Sequence, residues 1–151
     1  MDHPEWRAPD CVRLTLDFVA DPANVRTVRK LLAAAARIEG ATDFETFIIE
    51  VAVGEVLVRE RLLAKDQCGA LSLSAELSRS RCVVSVREPD TGQQGGTPGS
   101  NQADERLRWG LYIIAQLMDE VEIRPSAGKG QTSILRLVKQ LGKDRPAKMH
   151  G

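Results

Sequence analysis

The chain has 151 residues, of which 42% are hydrophobic and 28% charged, and its 21 acidic side chains balance 21 basic ones. This length suits one domain with its own core, and the charge balance disfavours direct binding to nucleic acid or to an anionic membrane. Its apolar runs are too short to cross a bilayer, and the first ten residues lack the pattern of a secretion signal. We therefore expect a cytoplasmic protein.

The cysteines and histidines exclude two classes of site. The three cysteines, Cys11, Cys68 and Cys82, have no Cys-x-x-Cys spacing, which indicates reduced thiols rather than a disulfide framework. The two histidines, His3 and His150, lie near the chain ends. This position disfavours a histidine-based metal site and a Ser-His-Asp triad, so we assign no metal ligand and no nucleophile.

The N-terminal part predicts a strand followed by a helix. Apolar and polar residues alternate over 12–18, which is typical of a half-buried strand. Asp21 can cap a helix with Pro22 at its first position, and Gly40 can end it. The expected inner stripe of this helix is Val25, Val28, Leu32 and Ala35. Three basic residues, Arg26, Arg29 and Lys30, are expected on its solvated side.

A second helix is predicted from Thr42 or Asp43 to about Ala64. Its expected inner stripe is Phe44, Ile48, Val51, Glu55, Val58 and Leu62, spaced by three and four residues. A carboxylate on an apolar stripe is costly unless it is paired or functional. One explanation is an ion pair between Glu55 and Arg59, which are four residues apart.

The C-terminal half predicts a hairpin, a loop, a helix and two more strands. Residues 71–77 alternate and 82–88 are rich in valine, so the short polar turn between them indicates an antiparallel hairpin. Residues 89–105 are rich in Gly, Pro, Ser and Gln and predict a long loop. A helix is expected from Trp109 with Leu111, Ile114, Leu117 and Met118 inside. A short strand, a glycine-rich turn and a last strand follow over 121–141.

This order of elements predicts an α+β protein, namely a two-layer α/β sandwich with a mostly antiparallel sheet and helices on one face. We expect a tail over residues 1–11, one domain over 12–141 and a disordered tail over 142–151. The loop 89–105 lies within the domain.

Four segments of this order resemble one family, the histidine-kinase, Hsp90 and gyrase type of ATPase domain, with its Bergerat-type fold. Within it the chain is most similar to the anti-sigma-factor serine kinases of bacterial partner-switching pathways. In "EVAVGEVLVRE" the resemblance makes Glu55 the catalytic base or orienting carboxylate. Arg59 stands where the family has a magnesium-binding Asn, and a guanidinium has only donors and cannot bind Mg²⁺.

The other three segments carry the nucleotide-binding residues that the resemblance implies. In "SVREPDTGQQ", Glu88 takes the place of the adenine-reading Asp, Asp90 replaces a glycine, and Gly92 matches. In "RLRWGLYIIAQLMDEV", Gly110 and Leu111 match a Gly-x-Gly-Leu motif that opens a helix facing the phosphates. In "GKGQTSILRL", Thr132 matches a Gly-Gly-Thr turn. The loop 89–105 corresponds to the family's ATP lid.

The resemblance implies an ATP or ADP site, and the partners it implies are a sigma factor and a STAS-type anti-anti-sigma protein, with homodimers frequent in the family. Our first hypothesis is a regulator that binds proteins and has weakened or lost ATP and kinase chemistry. The second is an active ATP-dependent serine kinase that phosphorylates a STAS partner, with Glu55 as base. The third is a nucleotide sensor without turnover, in which Arg59 replaces Mg²⁺ at a phosphate.

Overall fold

The computed structural model describes residues 11–64, 70–87, 101–124 and 134–142, apart from the side chains of 63, 64 and 101–104. The elements in chain order are β1 (Val12–Val19), α1 (Pro22–Ile38), α2 (Asp43–Ala64), β2 (Ala70–Leu77), β3 (Arg81–Arg87), α3 (Asn101–Leu117), β4 (Glu120–Arg124) and β5 (Ile134–Gln140). The order is the predicted one. Of the expected tails, 1–11 and 142–151, all but residues 11 and 142 lie outside the described residues, so the predicted domain limits remain expectations.

The sheet has five strands in the order β1-β2-β3-β5-β4, and each neighbouring pair is antiparallel. The predicted hairpin is β2–β3, closed where the Ser78 amide donates to the Arg81 carbonyl at 2.9 Å. One face of the sheet is apolar and buried, and Leu73, Val84 and Leu137 on this face are each 0% exposed. The α+β prediction with an antiparallel sheet is confirmed.

The helices cover this apolar face and complete a single core. The core combines inward residues of the strands with apolar residues of all three helices, including Leu32, Val53 and Ile114. The middle helix, α2, contacts both α1 and α3. Among the described residues no helix has the length and apolarity needed to cross a membrane.

Local chemistry sets the ends of α1 and the start of α2 as the sequence predicts. Asp21 caps α1, accepting a 2.7 Å hydrogen bond from the Asn24 amide, and Gly40 follows the helix with a φ of 96°. Thr42 caps α2: its hydroxyl accepts from the Glu45 amide at 3.1 Å, and Glu45 accepts from the Thr42 amide at 2.9 Å. This reciprocal pair is a capping box.

The start of α3 differs from the prediction. The helix begins at Asn101, whereas the sequence reading extended the loop to Glu105. Residues 101–105 are Asn, Gln, Ala, Asp and Glu, which are compatible with a first helical turn. They were assigned to the loop because the residues just before them are rich in Gly, Pro and Ser. The remainder of the predicted loop, residues 89–100, lies outside the described residues.

Candidate functional site

The predicted inner stripe of α2 is on the wrong face of the helix. The buried residues are Ile49, Ala52, Val53, Val56 and Leu57, all 0% exposed. Of the predicted stripe only Ile48 is buried. Phe44 is 63% exposed, and Val51, Glu55, Val58 and Leu62 are half-buried. The spacing was consistent with either face because α2 is apolar on most sides, and packing on the sheet selects the one without Glu55.

Glu55 faces α3, where it pairs with Arg106. Its Oε2 lies 2.8 Å from Arg106 Nη1, and its Oε1 accepts a 3.2 Å hydrogen bond from Nη2. The two side chains are 18% and 41% exposed. Oε2 is buried and has the ionic contact without an aligned hydrogen bond. The hydrogen bond to Glu55 raises the pKa of the Arg106 guanidinium, so Arg106 stays charged. The predicted ion pair between Glu55 and Arg59 is therefore wrong.

Gly110 lies in the interior of α3 beside this pair. A Cβ at this position would be 3.3 Å from Glu55 Oε2 and 3.7 Å from Arg106 Nη1. The glycine therefore provides the space in which the carboxylate meets the guanidinium. The expectation that Gly110 opens the helix is wrong, because α3 begins at Asn101 and the Gly110 amide belongs to the helical ladder. Leu111, next in the chain, is half-buried.

Arg59 pairs with its neighbour Glu60. Nη1 of Arg59 donates a 3.1 Å hydrogen bond to Glu60 Oε1, and the two side chains are 16% and 3% exposed. Arg59 is thus largely buried rather than solvated at the helix surface. Its Nε is buried and has no hydrogen-bond partner among the described residues. The buried carboxylate of Glu60 is tolerated in the core because the Arg59 guanidinium pairs with it.

These residues do not fit a magnesium ion. Arg59 offers donors only at the position where a metal ligand is expected, and Glu55 is engaged by Arg106. In the described ranges no group of three or more His, Cys, Asp or Glu side chains is close enough to hold a metal. Four predicted nucleotide-binding residues, Glu88, Asp90, Gly92 and Thr132, lie outside the described residues. Their roles remain predictions.

Sequence reasoning missed Arg106 and Glu60 as members of the site. Arg106 precedes Gly110 by four residues and so shares its helix face, a spacing that could have indicated a contact beside Gly110. It also misplaced Arg29, which is half-buried. Arg29 Nε donates a 3.1 Å hydrogen bond to the Glu50 carbonyl and lies against Gly54. The Arg29 side chain therefore joins α1 to α2 beside Gly54.

Cys82 is a buried thiol within the sheet. The side chain is 0% exposed on β3, and burial raises the pKa of its thiol to about 12. The reactive form of cysteine is the thiolate, so Cys82 is inert at neutral pH. It serves as a small apolar core residue.

The fold is consistent with the α/β sandwich of a histidine-kinase-type ATPase domain, and comparison with known proteins identifies the family. Residues 18–139 match the family model described as histidine kinase-like ATPase domain. The chain belongs to this family. This agrees with the resemblance found from its motifs.

Curated relatives and solved structures extend the likeness. The chain is 24% identical over 139 residues to proteins named anti-sigma F factor from a Thermoanaerobacter species and from Thermoanaerobacter pseudethanolicus. Each alignment covers 87% of this chain and 96% of the relative. A chain of the SiaB-SiaC complex from Pseudomonas aeruginosa has the same fold, with a TM-score of 0.58 and 15% identity over 85% of this chain and 89% of that one.

Proposed function

We propose that this chain is an anti-sigma-factor-like regulator of a bacterial partner-switching system. It acts by binding proteins, and its ATP and kinase chemistry is weakened or lost. The proposed partners are a sigma factor and a STAS-type anti-anti-sigma protein. The names of its relatives support the protein-binding role, and membership of an ATPase family supports a nucleotide site.

The observation that carries the proposal is the pairing of Glu55 with Arg106. A carboxylate that acts as a base must offer a lone pair to the proton it removes. Both oxygens of Glu55 instead face one guanidinium, at 2.8 and 3.2 Å. Because the guanidinium faces both oxygens, their lone pairs are directed away from an incoming hydroxyl group.

Arg59 also supports weakened kinase chemistry, because it stands where a Mg²⁺ ligand is expected. Phosphoryl transfer relies on Mg²⁺ and positioning more than on covalent chemistry by the protein. A cation replaces the expected metal ligand, and it is held by Glu60 at 3.1 Å. The Arg59–Glu60 pair therefore disfavours Mg²⁺ while leaving α2 packed.

Calorimetry with ATP, in the presence and absence of Mg²⁺, together with a phosphorylation assay, tests the proposal. We expect no magnesium-dependent ATP binding and no serine phosphorylation of STAS-domain proteins from the same bacterium. Binding to a sigma factor or to a STAS protein is expected to be independent of ATP. Transfer of the γ-phosphoryl group to a STAS serine in the presence of Mg-ATP would contradict it.

The alternative is an active serine kinase, and the retention of Glu55 at the α2–α3 contact favours it. In that case Glu55 is the base, Glu88 reads adenine, and the segment around Gly110 holds phosphates. The kinase hypothesis predicts that Glu55→Ala abolishes phosphorylation and leaves the fold intact. Activity that survives this change would remove Glu55 from the role of base.

A further inference from the structure

We infer that Glu55, Arg106 and Gly110 form an ionic latch that holds α3 against α2 without any ligand. The latch is a conformational device of the fold, and it does not depend on whether the chain binds nucleotide or a sigma factor. Its loss would release the N-terminal half of α3 from α2 while the core beneath stays packed.

The geometry of the three residues supports a specific latch rather than an incidental surface pair. Arg106 Nη1 lies 2.8 Å from Glu55 Oε2 and Nη2 lies 3.2 Å from Oε1, so the two groups meet nearly side by side. Gly110 leaves the space for this contact, because a Cβ there would be 3.3 Å from Oε2. A charged pair with fixed orientation and partial burial is stronger than a freely exposed one.

The packing beneath the pair explains why α3 needs such a contact. Among the α3 residues whose burial is described, only Gly110 and Ile114 are buried, and the buried Met118 follows just after the helix. The Arg106 end of the helix therefore has less apolar anchorage than the Ile114 end. Segments with few buried apolar contacts open at low free-energy cost, so one ionic contact can govern their opening.

The latch also positions an exposed aromatic pair. Trp109 and Tyr112 are 62% and 57% exposed, and their rings meet edge to face at a centroid distance of 5.8 Å. They lie on either side of Gly110 in the chain, so any movement of this part of α3 moves both rings. Release of Arg106 from Glu55 would change the surface that α3 presents.

Hydrogen exchange on a double-mutant cycle tests the latch. The four proteins are the wild type, Glu55→Gln, Arg106→Gln and the double variant, with Arg108→Gln, an exposed position on the same helix, as control. We expect exchange of the α3 amides near residues 105–112 to be about fivefold faster in both single variants. Because either change removes the same pair, the double variant should be no faster than the singles.

Salt provides a readout that apolar packing alone would not change. The Debye length falls to about 3 Å at 1 M salt, so NaCl should speed this exchange in the wild type and leave the double variant unaffected. Unchanged exchange in both single variants, effects that multiply in the double variant, or equal salt responses in all four proteins would overturn the latch. An equal rise across every peptide would do the same, because it would indicate global destabilisation. These outcomes test the Glu55–Arg106 pair itself, whereas calorimetry with ATP and the phosphorylation assay test the proposed function separately.

Discussion

Glu45 accepts, through Oε2, a 2.7 Å hydrogen bond from the amide of Gly142, a residue 97 positions further along the chain. Its other oxygen accepts from the Thr42 amide within the capping box of α2. The side chain is only 1% exposed. One carboxylate thus joins the start of α2 to the chain that leaves β5, where Gly142 has a φ of 88°.

Glu45→Ala should lower the free energy of unfolding by about 2–4 kcal/mol. The change leaves two amides without their acceptor and removes a negative charge from a helix N-terminus. Glu45→Gln keeps one carbonyl oxygen and should cost roughly half as much. Urea denaturation followed by circular dichroism measures both values. A loss below about 0.5 kcal/mol for Glu45→Ala would show that the hydrogen bonds do not contribute to stability.

Alanine substitution at two helical glycines, Gly54 and Gly110, should change the free energy of unfolding in opposite directions. At Gly54 the new Cβ meets Arg29 Nε at 3.2 Å and Cδ at 3.3 Å, atoms near the end of a long side chain that can move. The gain in helix propensity, about 1 kcal/mol, should exceed the loss of the hydrogen bond from Arg29, so Gly54→Ala stabilises by about 0.5 kcal/mol. Its midpoint temperature should rise slightly.

Gly110→Ala should instead destabilise the protein by about 1 kcal/mol, since its Cβ meets a carboxylate that is held in an ion pair. Thermal unfolding of both alanine variants beside the wild type gives the comparison. Stabilisation by alanine at both positions would indicate that the Glu55–Arg106 contact adapts without cost.

The double change Arg59→Asn with Glu60→Ala should restore magnesium-dependent ATP binding. In this variant Mg²⁺ should tighten ATP binding about tenfold, or by about 1.4 kcal/mol, whereas it should have no effect in the wild type. The asparagine supplies an amide oxygen to the metal, and the alanine removes the carboxylate that pairs with Arg59 at 3.1 Å. Calorimetry with ATP and Mg²⁺ measures the affinity. The matched control is Arg61→Asn, an exposed arginine on the same helix.

If the double variant binds Mg-ATP no better than the wild type, Arg59 is not what weakens the site. Weaker ATP binding without Mg²⁺ in the double variant would favour the sensor hypothesis instead. In that case the guanidinium contacts a phosphate directly.

Cys82 should make stability fall at alkaline pH. Burial raises the pKa of its thiol to about 12 in the folded chain, above the usual value near 9. Between these two values the unfolded chain loses the proton and the folded chain keeps it, so the unfolded state binds fewer protons. The free energy of unfolding therefore decreases as pH rises above about 9, by about 1 kcal/mol per unit.

Urea denaturation of the wild type and of Cys82→Ala at pH 8 to 10.5 isolates this contribution. The difference in unfolding free energy between the two proteins should be constant below pH 8.5 and should shrink above pH 9. Other titrating groups affect both proteins equally. A difference that stays constant over the whole range would show that the thiol ionises as readily in the folded chain.

The sequence by itself determined the order of elements, the antiparallel sheet and the family. These features follow from local signals, such as the alternation over 12–18, the Asp21 cap before Pro22 and Gly40 at the end of α1. A cap or a strand period involves residues at most a few positions apart, so it can be read directly from the chain. The motif containing Glu55 was found in the same way.

Only the tertiary structure decided which face of α2 is buried and which group meets Glu55. Helix α2 carries apolar residues on opposite sides, so spacing could not distinguish the outer stripe with Phe44 from the inner one with Ile49. The partner of Glu55 is 51 positions away on another helix, whereas local spacing favoured Arg59. The ionic contact depends on how closely α2 and α3 approach at Gly110, and that distance is set by packing on the shared sheet.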